Sequence, residues 1–380
     1  MTTNAERVYR EFGQSLWYDN LERGLLRSGA FRELVTAGVR GCTSNPTIFE
    51  KAIRSSSEYD SALQRLVAAG QGVEEIYYDL VVADIQAAAD VLKPVYDASE
   101  ARDGYISVEV QPRFASDTKA TVKEALELVQ RIQRPNLMIK VPATEPGLEA
   151  ISTLIGQGVS VNVTLIFGVD QYRRVAEAYV AGLERAQRAG LNLSRIASVA
   201  SFFVSRLDAL IDGELKDRLK KKATTPEQAA EAQRLLGKAA IANAKRAYVA
   251  FGEIFSSPRF SALSGAQRQR VLWASTGTKD PAYPDTLYVD ELIGPDTVDT
   301  LPPETLDAFL YHGEARRSLE VDADVARRDL DALKTLGIDL DAITQELESE
   351  GVTAFRESWS KLLDALKEKC FKVAKDFAGQ

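Results

Sequence analysis

Histidine is almost missing from this chain: His312 is the only one among 380 residues. A serine triad needs an imidazole and a histidine-rich zinc site needs several, so both have almost nothing to work with here. Metal-dependent aldol chemistry is excluded on the same ground, and no cofactor is expected. Cysteine is nearly as scarce. Cys42 and Cys370 stand far apart without CxxC spacing, which fits a reducing compartment and no disulfide framework. An excess of basic charge is also lacking, since 47 basic against 55 acidic residues leave a net charge of −8. That balance argues against a general nucleic-acid binder. No apolar run approaches a membrane-spanning length, and the polar start Met1-Thr-Thr-Asn-Ala-Glu-Arg7 does not read as a leader, so no membrane partner and a cytoplasmic location are expected. Neither a Walker loop nor a GxGxxG placed after a strand is present, which removes the usual nucleotide cofactors.

What the chain does contain is a series of strand-like runs that end in polar residues. Val159 to Leu165 alternates without interruption: Val159, Val161, Val163 and Leu165 share one face, and Ser160, Asn162 and Thr164 share the other. Similar runs are Gln14 to Asp19, Gly38 to Asn45, Tyr105 to Val110, Asn136 to Thr144, Ile196 to Phe203 and Arg270 to Ser275. Thr286 to Asp290 is the last, making eight. Between most of them lie stretches of helical spacing, such as 117–130, 145–155 and 169–187. Strand then helix, repeated eight times, predicts an α/β fold of the closed parallel (β/α)8 barrel type.

The chain exceeds a typical barrel by about half. The surplus is helical, around 225–254 and from 301 to 380, with no Pro/Gly-rich linker or internal repeat to mark a second domain. The expectation is one domain, a barrel over about 10–300 with helices of 301–380 packed on it through Leu330, Leu333, Leu336, Phe355, Trp359, Leu362 and Leu366. A subunit interface is the alternative for that apolar face, so monomer and homodimer both remain open.

In such a barrel the residues at the carboxyl ends of the strands surround one mouth. Asp19, Asn45, Glu109, Lys140, Asn162, Thr164, Ser201 and Ser275 would converge there, with Glu109 and Ser107 inward while Ile106, Val108 and Val110 pack on helices. Lys140 ends an apolar run before Pro142. Burial favours the neutral amine, the form that attacks a carbonyl carbon, so the position suggests a Schiff base. Taken alone, Lys140 reads better as a lysine whose stem packs while its head reaches water; polar residues at the end of nearly every strand change that reading. Each of the others has an ordinary role open to it as well. Asp19 can cap a helix opening at Asn20 or Leu21, Asn45 before Pro46 can form a turn, and Glu109 can belong to a structural ion pair. Ser201 and Ser275 can simply make room between strands.

Gly41-Cys-Thr-Ser-Asn-Pro-Thr47 and Leu137-Met-Ile-Lys-Val-Pro-Ala-Thr144 resemble the two signature regions of the transaldolases. The likeness extends, in the family's order, to Ser107-Val-Glu-Val, Val161-Asn-Val-Thr-Leu, Ser201-Phe-Phe-Val-Ser-Arg206 and Trp273-Ala-Ser-Thr-Gly-Thr-Lys279, and the helical tail is similar to a long bacterial branch. The resemblance implies transfer of a dihydroxyacetone unit between sugar phosphates through an imine on Lys140. It implies Asp19 as the base for the C4 hydroxyl, Glu109 with a water held by Thr164 for imine formation, and Asn45 and Asn162 on the fragment's hydroxyls. Ser201, Ser275, Arg206 and Lys279 are the remaining candidates for substrate contact, the last two for phosphate. Better-known members place an arginine close to the position of Gly277, where this chain has none, and Lys279 is the candidate substitute, though an ammonium does not replace a bidentate guanidinium. Phe203 stands where related fructose-6-phosphate aldolases carry a tyrosine, and a phenyl ring cannot donate a proton to the enamine. Transaldolase is thus the first reading, a class I aldolase-like lyase the second, and a non-catalytic sugar-phosphate binding protein the third.

Overall fold

The computed structural model describes residues 2–220 and 225–378. Eight parallel strands follow one another around a closed barrel: β1 (Ser15–Tyr18), β2 (Gly41–Cys42), β3 (Tyr105–Glu109), β4 (Leu137–Pro142), β5 (Val161–Ile166), β6 (Ser198–Phe203), β7 (Arg270–Ala274) and β8 (Thr297–Leu301). β1 pairs with β8 to close the ring. Alternation along each strand sorts the side chains into two cores. Ile106, Val108, Ile139, Val141, Val161 and Val163 face the helices, while Trp17, Tyr105, Met138, Val199, Leu272 and Val298 fill the barrel's middle. A one-residue slip in any strand would exchange these sets, so the register is strongly specified. The Trp17 indole is accommodated because β2 has a glycine beside it: a Cβ on Gly41 would lie 2.4 Å from the ring.

Below that apolar layer, the barrel floor is held by charge. Asp103, fully buried, accepts from Ser15 Oγ at 2.6 Å and Arg40 Nε at 2.9 Å on one oxygen, and from Arg270 at 2.9 Å on the other. Burial alone would raise this carboxyl, but the Arg270 and Arg40 guanidiniums outweigh it and hold it below the ordinary value. A depressed carboxyl contributes stability at neutral pH that is lost as pH falls through its folded pKa. Asp103→Ala leaves two guanidiniums without their partner and should cost about 3–5 kcal/mol, read as a lowered urea midpoint at pH 7. A loss within about 0.5 kcal/mol would mean the site behaves as an ordinary surface position.

Two sequence expectations are corrected. Thr286 to Asp290 is not a strand: Leu287–Glu291 is a helical turn, with Thr286 Oγ1 donating to Asp290 Oδ2 at 2.6 Å across i and i+4. The eighth strand is Thr297–Leu301, whose polar Thr-Val-Asp-Thr-Leu composition hides it. Asp299 lies in its middle, fully buried and bonded to Thr276 Oγ1 at 3.0 Å, and burial pushes its pKa up to about 8. A carboxyl kept neutral is tolerated on a sheet face where a charged one is not. The second correction concerns Leu165. The register shifts between Val163 and Ile166, Leu165 takes φ 62°, and its side chain turns to the barrel mouth instead of following Val161 and Val163.

The 39-residue helix Leu340–Ala378 runs over the carboxyl-end side of the barrel. Ile343, Leu347, Phe355, Trp359, Leu362, Leu366, Cys370 and Val373 are buried along it, at the spacing of one helix face. Trp359 packs edge-on to Tyr77 with centroids 4.7 Å apart. Among the described residues no helix is long and apolar enough to cross a membrane.

Candidate active site

At the carboxyl ends of the strands lies a cavity of about 510 Å³, lined by Asp19, Asn45, Glu109, Lys140, Thr164, Phe203 and Arg206 among others. Barrel register places three of the polar groups on adjacent strands: Lys140 on β4 is opposite Glu109 on β3 and Asn162 on β5. Lys140 is 8% exposed, with its head toward the cavity. Its Nζ lies 3.7 Å from Glu109 Oε2, within electrostatic reach but beyond a good hydrogen bond. Burial raises the Glu109 carboxyl to about 7, against the Lys140 charge that lowers it and with the Asp19 charge that adds to the rise. A carboxyl poised there can give and take a proton at neutral pH.

Asp19 follows the end of β1, where its N–H donates to Leu301 O at 2.8 Å and continues the barrel ladder. It caps no helix; the next one starts at Arg23 with Glu22 at its N-cap. Its carboxylate accepts from Thr43 Oγ1 at 2.6 Å, and Thr43 Oγ1 is 2.7 Å from Thr300 Oγ1. Burial raises the Asp19 carboxyl, with Lys140 and the Thr43 bond opposing. Two carboxyls with raised pKa values thus flank one lysine.

Asn45 stands at a helix N-terminus beside the cavity. Its Oδ1 caps the helix Pro46–Ser55 by accepting from Ile48 N at 3.0 Å, and the residue also lines the cavity. Asn162 is fully buried, donating to Ser107 Oγ at 3.0 Å and accepting from Ser201 Oγ at 2.7 Å. Ser201 therefore orients Asn162, and neither of the two is among the residues lining the cavity. Thr164 is among the residues lining the cavity, and its hydroxyl is buried without a protein partner.

Arg206 sits in the first turn of the helix Ser205–Lys220, with its guanidinium 5.4 Å from the Phe203 ring centroid. The adjoining Ser205 Oγ is 2.9 Å from Ser275 Oγ, and Ser205 N donates to Ser275 O at 3.0 Å. Ser275 has φ 58°, so both it and Leu165 hold sparsely populated backbone conformations at strand ends beside the site. Neither Ser275 nor Lys279 lines the cavity, and Lys279 is exposed in the loop after β7. The fold thus does not bring Lys279 to the cavity beside Arg206.

Several residues of the site or its support were not legible beforehand. Thr43, which fixes Asp19, lay inside a motif already quoted, and period-2 alternation from Gly41 places it inward. Lys51 and Glu304 lie on helices after β2 and β8, and Gly351, Ala354, Phe355 and Ser358 come from the Leu340–Ala378 helix. No local signal marks these as facing a site.

Residues 16–366 match the family model described as Transaldolase/Fructose-6-phosphate aldolase. The chain is 50% identical over 367 residues to a protein named Transaldolase 1 of Streptomyces avermitilis, covering 96% of this chain and 94% of that one. It is 49% identical to the Transaldolase of Thermobifida fusca, over 94% of this chain and 96% of the relative. A Transaldolase of Trichodesmium erythraeum is 44% identical over 98% of this chain and 99% of its own length.

Proposed function

We propose, for a chain that belongs to the transaldolase/fructose-6-phosphate aldolase family, the following residue-by-residue account of its transaldolase activity on sugar phosphates. The observation that carries it is Lys140 at the cavity floor between two carboxyls of raised pKa. Neutral Lys140 attacks C2 of a ketose phosphate, and the carbinolamine loses water to give an imine, with Glu109 exchanging the protons through a water that Thr164 helps hold. The protonated imine is an electron sink. Asp19 takes the C4 hydroxyl proton, the C3–C4 bond breaks, and the aldose phosphate leaves. Three carbons remain on Lys140 as an enamine, with Asn45 and Asn162 toward their hydroxyls. A second aldehyde is attacked by C3 of the enamine, its alkoxide recovers the proton from Asp19, and hydrolysis of the imine frees the new ketose phosphate. The Asp19 carboxylate is kept in place for both transfers by Thr43.

Phosphate recognition rests on Arg206, whose guanidinium stands in the first turn of a 16-residue helix, where the positive end of the helix dipole adds to the attraction. Ser275 supports that turn through Ser205. Arg206→Ala should lower kcat/KM for phosphorylated substrates by about 2–4 kcal/mol and affect non-phosphorylated acceptors much less. Equal loss for both kinds would show that Arg206 only supports the fold. Lys279→Ala, being exposed, should leave kcat/KM within about twofold. We place the reaction in the cytoplasm, a setting that suits the two free, buried thiols Cys42 and Cys370.

Supplied with fructose 6-phosphate and erythrose 4-phosphate, the enzyme should form sedoheptulose 7-phosphate and glyceraldehyde 3-phosphate in equal amounts. Sustained release of dihydroxyacetone without an acceptor would assign it to the lyase side of the family instead. Tight binding without turnover would leave a binding protein.

A further inference from the structure

The helix Leu340–Ala378 lines the catalytic cavity with Gly351, Ala354, Phe355 and Ser358. These lie at i, i+3, i+4 and i+7, a single helix face, and three of the four are small. Thr47 Oγ1 donates to Ser358 Oγ at 3.1 Å, tying that face to the helix that Asn45 caps. Glycine is the poorest helix former after proline, so Gly351 inside a long helix calls for a reason. Close approach provides it. A Cβ at Gly351 would lie 3.2 Å from Leu165 Cδ2 and 3.4 and 3.5 Å from two carbons of the Phe167 ring. Leu165 is the bulged residue next to Thr164, and the Phe167 ring lies 5.2 Å from that of Phe203. The seat of this helix is therefore built on the residues that border Lys140's cavity.

We propose that the Leu340–Ala378 helix, seated by Gly351, is the roof that limits water at the enamine and so sets the balance between transfer and hydrolytic release. The inference rests on the Schiff-base reading of Lys140. Release requires C3 of the enamine to take a proton and water to add at C2, after which the C2–N bond breaks, returning the Lys140 amine and free dihydroxyacetone. Transfer requires C3 to meet an aldehyde instead. The enamine is common to both, and they part only in what reaches it. Phe355, Leu165 and Phe203 line the mouth with groups that neither donate a proton nor hold water. Gly351 is a positioning residue in this scheme, since it acts through the helix and Leu165 and touches no reacting atom.

The test compares Gly351→Leu and Gly351→Ala with the unaltered enzyme, all three first checked for native circular dichroism and melting. Dihydroxyacetone release from fructose 6-phosphate alone is measured beside transfer to erythrose 4-phosphate, and the Lys140 adduct is trapped with borohydride in each. The larger side chain must lift the helix, so the ratio of release to transfer should rise about tenfold while trapping at Lys140 is retained. Gly351→Ala needs only a few tenths of an ångström of movement by Leu165, keeps the fold, and should move the ratio in the same direction by about twofold. An unchanged ratio in the folded variants overturns the roof, and so does a parallel loss of trapping and transfer, which would make the glycine a support for the site's geometry alone. Absence of any adduct in the unaltered enzyme is a different failure: it removes the Schiff base, and the roof with it.

Discussion

Lys140→Met should lose turnover by at least about 10⁴-fold, because the nucleophile is removed and no other group can hold the three-carbon fragment. Methionine keeps the length and the apolar stem that packs in β4, so the barrel should remain folded. Methionine also suits a site where the native residue is only 8% exposed, so the melting temperature should not fall. The informative comparison is with ligand binding. Arg206 and its helix turn are untouched, and a ketose phosphate should still bind, with affinity changed far less than turnover. Residual activity within about tenfold of the unaltered enzyme would place the nucleophile elsewhere.

Glu109→Gln should slow imine formation by about 10²–10⁴-fold, the usual contribution of a positioned acid or base. Its pH dependence is more specific than its size. In the unaltered enzyme, single-turnover imine formation should show an ionisation near pH 7, where burial places the Glu109 carboxyl. Loss of the proton as pH rises through that value removes the acid that expels water from the carbinolamine. The glutamine amide does not titrate, and this limb should disappear. Stability gives an independent check with a definite sign. A folded-state value of about 7 against an ordinary 4.5 means the folded protein binds the extra proton between those limits. Glu109 therefore makes stability fall as pH rises from about 4.5 to about 7. Across that window the difference in stability between Glu109→Gln and the unaltered protein should grow in the variant's favour. A difference that stays flat with pH would show that the carboxyl has an ordinary pKa.

The parts of this fold that were legible in the sequence are those with short-range periodicity. Val161-Asn-Val-Thr alternates because β5 is apolar toward the helices and polar toward the barrel's interior, and the same alternation placed Glu109 inward beside Ser107. Strand β8 was missed because its Asp299 is buried and held near a pKa of 8, so a residue that looks charged on paper sits where a neutral one belongs. Leu165 escaped for a related reason, since a bulge at φ 62° breaks a pattern that is perfect on paper. Thr286 to Asp290 shows the converse error, with β-formers that tertiary contacts hold as a helical turn: Tyr288 Oη donates to Asp208 at 2.9 Å. The candidate site was legible where it lies at strand ends. Its outer wall, Lys51 and the face carrying Gly351 and Phe355, comes from helices whose sequence reports only that one side is apolar. Proximity to Lys140 there depends on how the helix crosses the barrel, which no local pattern encodes.

Borohydride trapping with fructose 6-phosphate, followed by mass mapping of the peptides, tests the central claim that Lys140 carries the transferred fragment. The account predicts one adduct per chain, of three-carbon or intact-sugar mass, confined to the peptide containing Lys140, together with release of glyceraldehyde 3-phosphate that stops near one equivalent per site when no acceptor is present. A label on any other lysine, or turnover that proceeds with no trappable adduct at all, would contradict it.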